Sequence, residues 1–481
     1  MIEALRGLGY STETAIADII DNSIAAKAKR VDIRFIWSEE SSRIETQDDG
    51  KGMSAKEIDL AMRLGESNPL DDRSANDLGR FGMGLKTASF SQCRRLTVAT
   101  IGSDGFECLR WDLDVLANSS DGGWHLLEEP AGGSEQYLYP LKETSQGTLV
   151  LWELLDRIVS KGFTDTDFLN LIDKVEQHLA MTFHRYIEGI SPPLEIRIND
   201  KKLAPWDPFL SGHPAKPWHS QTARAPGFKG VEVECHVLPH KDKLSQTEFG
   251  SAQGPDGWTA QQGFYVYRNK RLLLAGSWLG LGHGRSWTKD EAHKLARIRL
   301  DIPNNTDADW KIDIRKSTAR PPVALRPWLI KYAEETRNRA RRAFAHRGTA
   351  PKTNNGKKVT QAWAVKHLAD GIKYRIDRDH PSIRDVLDSA GILLPQLQAM
   401  LRVIEETVPV QRIWLDTAEQ KETPRNGFAA EPTSEIIKVL EIMYKSMVDQ
   451  KGMSSEYAKD RLMQTEPFNS YPDLIKSLSE F

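Results

Sequence analysis

Four separated groups of residues carry the chemistry needed to hold a ligand with both phosphates and a flat heterocycle. Asp18 and Asn22 lie four residues apart, so on a helix both project to one side. A carboxylate there can orient and deprotonate a water, and an amide oxygen one turn later can join phosphate oxygens around Mg²⁺. In Asp48-Asp-Gly-Lys-Gly-Met53 a carboxylate precedes two glycines. Gly50 and Gly52 allow a tight turn and close approach to a flat ring, and Asp48 can accept an exocyclic amine. The run Gly79-Arg-Phe-Gly-Met-Gly84, continued by Leu85 and Lys86, offers backbone N–H groups and a cation to phosphate oxygens. Gly147 and Thr148 enter an apolar run, and the threonine hydroxyl can bridge Asp48 and the ring edge directly or through water.

Each group also has a plain structural reading. These are a solvated helix face, an Asp-Gly turn, an ordinary glycine loop and a strand-forming threonine. The second glycine run, with Gly79, Gly82, Met83 and Gly84, does not end in Gly-Lys-Ser/Thr and so is not a Walker A loop. No suitable βαβ unit surrounds it, as a dinucleotide fingerprint requires.

The elements that must position these groups follow from periodicity. Ala15, Ile16, Ile19, Ile20 and Ile24 recur at helical spacing across 12–27, opposite a face carrying Asp18, Asp21 and Asn22. Alternation gives strands at 31–37 and 43–47, the second running straight into Asp48. A helix follows at 54–64, then a polar, breaker-rich loop to residue 77, then a helix through Lys86 to residue 91. Strands follow at 96–101, 107–111 and 148–152. Beyond this lie a helix from about 165 to 186, strands at 195–199, 231–238, 263–267, 298–302 and 310–315, and a long helix at 323–344. A polar stretch at 348–358 reads as a linker, and helical patterns at 393–407, 433–448 and 455–463 suggest a mainly helical end.

A chain of 481 residues exceeds one ordinary core, so two or three domains are expected. No stretch approaches the roughly 18 uninterrupted apolar residues of a membrane span, and the N-terminus has no basic segment leading into an apolar run. The expected location is therefore cytoplasmic, with no membrane partner. Cys93, Cys108 and Cys235 lack metal-ligand spacing and read as small buried hydrophobes. The net charge of −2 hides any local patch.

Taken in order, Asp18-Ile-Ile-Asp-Asn-Ser23, Asp48 to Met53, Gly79 to Lys86 and Thr148 resemble the GHKL (Bergerat-fold) ATPases. The resemblance implies an α+β protein with four parts: an ATP-binding α/β sandwich over 1–160, a βαβ transducer-like domain over 161–347, a linker at 348–360 and a mainly helical module over 361–481. It implies ATP and Mg²⁺ as cofactors, Asp18 as general base and Asn22 as the magnesium ligand. Asp48, Gly50, Gly52, Met53 and Thr148 are then at the adenine, and Gly79, Gly82, Met83, Gly84, Leu85 and Lys86 at the phosphates. Two departures stand out: Asp18 occupies a position where most hydrolytic members have Glu, and Ala25 one where relatives often have Asp.

The second region resembles the transducer of MutL, gyrase and MORC proteins, which delivers a lysine to the γ-phosphate. Two segments compete for that role, Tyr267-Arg-Asn-Lys-Arg271 and Lys311-Ile-Asp-Ile-Arg-Lys316. Lys316 is preferred over Lys270 because it ends a strand-like run. Leu64-Gly-Glu-Ser67 and Gly79 to Lys86 look most like MORC and its prokaryotic relatives. That subfamily implies an ATP-gated homodimeric clamp closing through its N-terminal domains, DNA, helicase or nuclease partners and a role in anti-phage or restriction-like defence. The alternative is an ATP-sensing interaction protein with negligible hydrolysis. Arg337-Asn-Arg-Ala-Arg-Arg342 could neutralise DNA phosphates or be a solvated basic helix.

Overall fold

The computed structural model describes residues 6–7, 9–63, 84–118, 125–189, 191–304, 307–312, 318–345, 360–368, 371–410, 413, 434–450, 452–465 and 468–478. The polar loop expected up to residue 77, Gly79, Gly82, Met83 and Lys316 lie outside these residues. The chain divides into two compact units, 1–345 and 346–481.

The larger unit begins with a seven-stranded sheet in the order β4-β3-β5-β2-β1-β6-β7. Its strands are β1 (Arg30–Ile36), β2 (Arg43–Asp48), β3 (Arg95–Gly102), β4 (Gly105–Asp112), β5 (Gly147–Glu153), β6 (Glu195–Ile198) and β7 (Lys201–Lys202). All pairs are antiparallel except β1 with β6. The period of two in β3 and β5 sends side chains to both faces. Leu96, Val98, Val150 and Trp152 join the main core with the helices. Ala99, Leu149 and Leu151 meet Leu138 and Leu141 on the other face.

Three helices cover the main face: Thr12–Ala25, Gly84–Phe90 and Asp165–Thr182. The first buries Ala15, Ile16, Ile19 and Ile20, as their spacing requires, but it also buries Asp18 and Asp21. The helix Ala55–Met62 begins in a capping box between Ser54 and Glu57, and Asp165–Thr182 in one between Thr164 and Asp167, which satisfies otherwise orphaned backbone donors. Residues 165–203 belong to this first body: Phe168, Val175, Leu179, Ile196, Ile198 and Leu203 complete its core.

A second sheet has the order β12-β11-β13-β10-β8, with β9 also paired to β10. Its strands are β8 (Trp218–His219), β9 (Ala223–Arg224), β10 (Glu232–Val237), β11 (Gly263–Arg268), β12 (Arg271–Ser277) and β13 (Ala296–Ile302). β11 and β13 run parallel and the remaining pairs antiparallel. The long helix Arg326–Ala345 packs against β10 and β13 through Leu329, Ala333 and Ala340. On the opposite face Tyr265, Tyr267 and Leu272 meet Met181 of the Asp165–Thr182 helix, so that helix joins the two sheets. One expectation fails here: Trp310 ends a helical turn, Asp307–Trp310, rather than opening a strand. Its ring is buried in the second core, and Lys311 turns the chain with φ of 49°.

In the smaller unit, β14 (Trp363–Leu368) and β15 (Gly371–Ile376) form an antiparallel hairpin. The helices Pro381–Asp388, Leu394–Glu406, Ser434–Lys445, Ser455–Met463 and Pro472–Ser477 follow. Among the described residues no helix is long and apolar enough to cross a membrane.

Candidate functional site

The Thr12–Ala25 helix meets the end of β2. Asp48 closes β2 opposite Thr148 of β5. Its Oδ2 accepts the Ser23 hydroxyl at 2.7 Å, and its Oδ1 accepts the Gly50 N–H at 2.9 Å. Burial raises its pKa above the usual carboxylate range, an effect only partly opposed by those hydrogen bonds. Asp49 does something different. Its Oδ1 accepts the Lys29 and Arg30 N–H groups at 2.7 and 2.9 Å, tying the loop to the start of β1.

The glycines of the turn answer to packing within the protein. A Cβ on Gly52, whose φ is +68°, would lie 1.9 Å from the Ile101 carbonyl oxygen, and one on Gly147 would lie 2.2 Å from the Asp48 carbonyl oxygen. Thr100 holds the two segments together. Its Oγ1 accepts the Met53 N–H at 2.9 Å, donates to the Gly147 carbonyl at 2.9 Å and stands 3.2 Å from Thr148 Oγ1. Ser23, quoted in the first motif but given no role there, and Thr100, which no motif contained, both bond candidate site residues. A polar residue at a core position of strand 96–101 was the signal available for Thr100.

Asp18 faces the start of the Gly84–Phe90 helix: a Cβ on Gly84 would lie 3.8 Å from Asp18 Oδ2. Tyr10 donates to that same oxygen at 3.2 Å. Asn22, one turn later, is exposed. Leu85 packs against the main core, and Lys86 is buried with its ammonium donating to the Arg63 carbonyl at the end of the Ala55–Met62 helix. Asp18, Asn22, Ser23, Asp48, Gly50, Gly84 and Thr148 are thus assembled around one helix, whereas the described partner of Lys86 lies at another helix end.

Residues 10–148 match the family described as Histidine kinase-, DNA gyrase B-, and HSP90-like ATPase. The matched span runs from Tyr10 to Thr148 and so takes in all of the residues just assembled. An 87-residue stretch is also 33% identical to "ATPase morc-1" of Caenorhabditis elegans, covering 18% of this chain and 10% of that protein. Residues 10–148 are thus similar to a GHKL-type ATPase domain, a domain type that implies ATP as its ligand.

Polar contacts also join the second sheet to the first body. His184 Nε2 and the Tyr267 hydroxyl are 2.8 Å apart; Arg185 pairs with Asp301 at 2.5 Å; and the Tyr186 hydroxyl donates to the Asn269 carbonyl. Burial pushes the His184 pKa down to about 4, so this imidazole is neutral near pH 7. Asn269 and Lys270 form the turn between β11 and β12, with φ of 46° and 67°. Lys270 is exposed, and Arg271 turns inward to the Thr12–Ala25 helix. Arg271 was passed over in the sequence for its lysine neighbour.

Proposed function

We propose that this protein is an Mg²⁺-dependent ATPase working as an ATP-gated dimeric clamp or switch in DNA transactions. One observation supports the reading above the others. A single helix presents Asp18 toward Gly84, Asn22 outward and Ser23 to Asp48, so its register distributes base, metal ligand and adenine support along one nucleotide. Among the described residues no group of three or more His, Cys, Asp and Glu is placed to hold a metal ion. A Mg²⁺ bound here would combine the Asn22 amide oxygen with phosphate and water oxygens, as this hard cation ordinarily does. It would neutralise charge on the phosphates, while Asp18 takes a proton from the attacking water and the Asp48 carboxylate accepts the adenine amine.

Lys270 and Lys316 are the two candidates for the lysine that meets the γ-phosphate. Lys270 adjoins Arg271, which touches the ATP-site helix, whereas Lys316 lies outside the described residues. The resemblance to prokaryotic MORC-like proteins would place such a switch beside a nuclease or helicase in anti-phage defence. A second reading, an ATP sensor with negligible turnover, is favoured by Asp18 itself. It is one methylene shorter than Glu and already held by Tyr10.

Light scattering separates the clamp from a monomeric ATPase. With Mg-ATP, Asp18→Asn should accumulate as a dimer that disperses when nucleotide is removed. A monomer at saturating nucleotide would rule out the clamp.

A further inference from the structure

Arg271 opens β12, and its guanidinium crosses to a helix 250 positions earlier in the chain. Nε lies 3.1 Å from both Asp21 oxygens. One terminal nitrogen stands 3.6 Å from Asp18 Oδ1, and the other donates to the Leu272 carbonyl at 2.9 Å. The side chains of Arg271, Asp21 and Asp18 are 5%, 2% and 8% exposed. Two carboxylates one helical turn apart in so dry a place require a cation, and the planar guanidinium fork can serve both at once. The hairpin bearing it is pinned by His184 and Tyr186, with Arg185 4.8 Å from the Tyr267 ring centre, so the position of Arg271 reports how the second sheet sits on the ATP-site helix.

We propose that Arg271 is a positioning residue: anchored on Asp21, it holds Oδ1 of Asp18 so that Oδ2 faces Gly84, making hydrolysis depend on the docking of the β11–β12 hairpin. The short Asp18 side chain has little reach of its own, so contacts such as those of Tyr10 at Oδ2 and Arg271 at Oδ1 help set where its oxygens point. Asp21 is the fixed point, since it takes the closer contacts. The inference rests on the ATPase reading of this site.

The test uses the full chain, with steady-state phosphate release for turnover and calorimetry with a non-hydrolysable ATP analogue for binding. Arg271→Gln should lower kcat by about 10²-fold while Kd changes less than about threefold, because aim is lost and the nucleotide contacts are not. Arg271→Lys should recover part of the loss, by keeping the cation without the fork. Asp21→Asn alone should cost about tenfold, and the double variant Asp21→Asn/Arg271→Gln should be no slower than Arg271→Gln, since residues acting as one unit are not additive. Wild-type kcat in Arg271→Gln overturns the proposal, as do additive losses in the double variant, or kcat and affinity falling together without rescue by Lys. A wild-type protein that releases no phosphate overturns the ATPase reading and the proposal with it, whereas active wild type with an equally active Arg271→Gln overturns the proposal alone.

Discussion

The hydroxyl of Ser23 donates to Asp48 Oδ2 across 2.7 Å, joining the helix that carries Asp18 to the carboxylate assigned to adenine. Asp48→Asn keeps an oxygen for the Gly50 N–H and can donate to Ser23, but it offers a donor where the adenine amine needs an acceptor. Its ATP affinity should fall by at least about tenfold, a loss consistent with one mispaired buried hydrogen bond. Ser23→Ala should weaken binding less.

Stability should move in the opposite direction in Asp48→Asn. Burial raises the Asp48 pKa, so the folded state holds this proton more tightly than the unfolded chain does. The associated stability is present at low pH and is lost as pH rises through the raised value. Asn has no charge to desolvate, so the melting temperature of Asp48→Asn near pH 7 should equal or exceed that of wild type. The ionised acceptor is lost on acidification, so wild-type ATP affinity should begin to fall above the usual carboxylate range. Calorimetry across pH and thermal melts check both, and a sharply lower melting temperature for Asp48→Asn would contradict them.

Gly52→Ala should abolish nucleotide binding without touching any ligand-facing side chain. The positive φ alone costs an L-residue about 1–2 kcal/mol, and the added methyl collides with the Ile101 backbone. The loop from Asp48 to Met53 must then leave β3. A Gly52→Ala protein with unchanged ATP affinity would show that this contact does not shape the pocket.

The basic helix end divides into two classes of arginine. Arg337 lies 4.6 Å from the Trp278 ring centre and 5.0 Å from that of Trp287 and pairs with Asp290 at 3.4 Å. Arg339 covers Trp218 at 4.3 Å and pairs with Glu335 at 3.2 Å. Arg341 and Arg342 are exposed. If this helix meets DNA, Arg341→Ala/Arg342→Ala should flatten the salt dependence of binding by up to about two phosphate contacts. Arg337→Ala should instead lower the melting temperature. Equal salt slopes for the paired variant and wild type would remove the helix from any DNA surface.

The parts of the fold set by local periodicity were legible in the sequence. Ala15, Ile16, Ile19 and Ile20 give the first helix, alternation gives β2, and the candidate site residues cluster in short motifs along them. What escaped depends on distant partners. Asp21 read as one more polar residue on a helix face, because its partner Arg271 lies in another sheet. Asn269 tolerates the left-handed backbone that a tight turn needs, and reading a turn there would have exposed β12 and turned attention to Arg271. Trp310 suited a strand by residue type but lies in a helical turn whose ring fills the second core, so tertiary burial decided its conformation. The β14–β15 hairpin was hidden in a region judged by its helical patterns.

Asp18 carries the central claim, and steady-state phosphate release from wild type and Asp18→Asn, with binding to each measured by calorimetry, tests it most directly. Replacing the base removes proton abstraction but leaves Asn22, Asp48 and the glycines in place. The expected result is Mg²⁺-dependent phosphate release by wild type, and ATP affinity within about threefold but at least about 10²-fold slower release by Asp18→Asn. Turnover by Asp18→Asn at the wild-type rate, or a wild-type protein that binds no ATP, would contradict it.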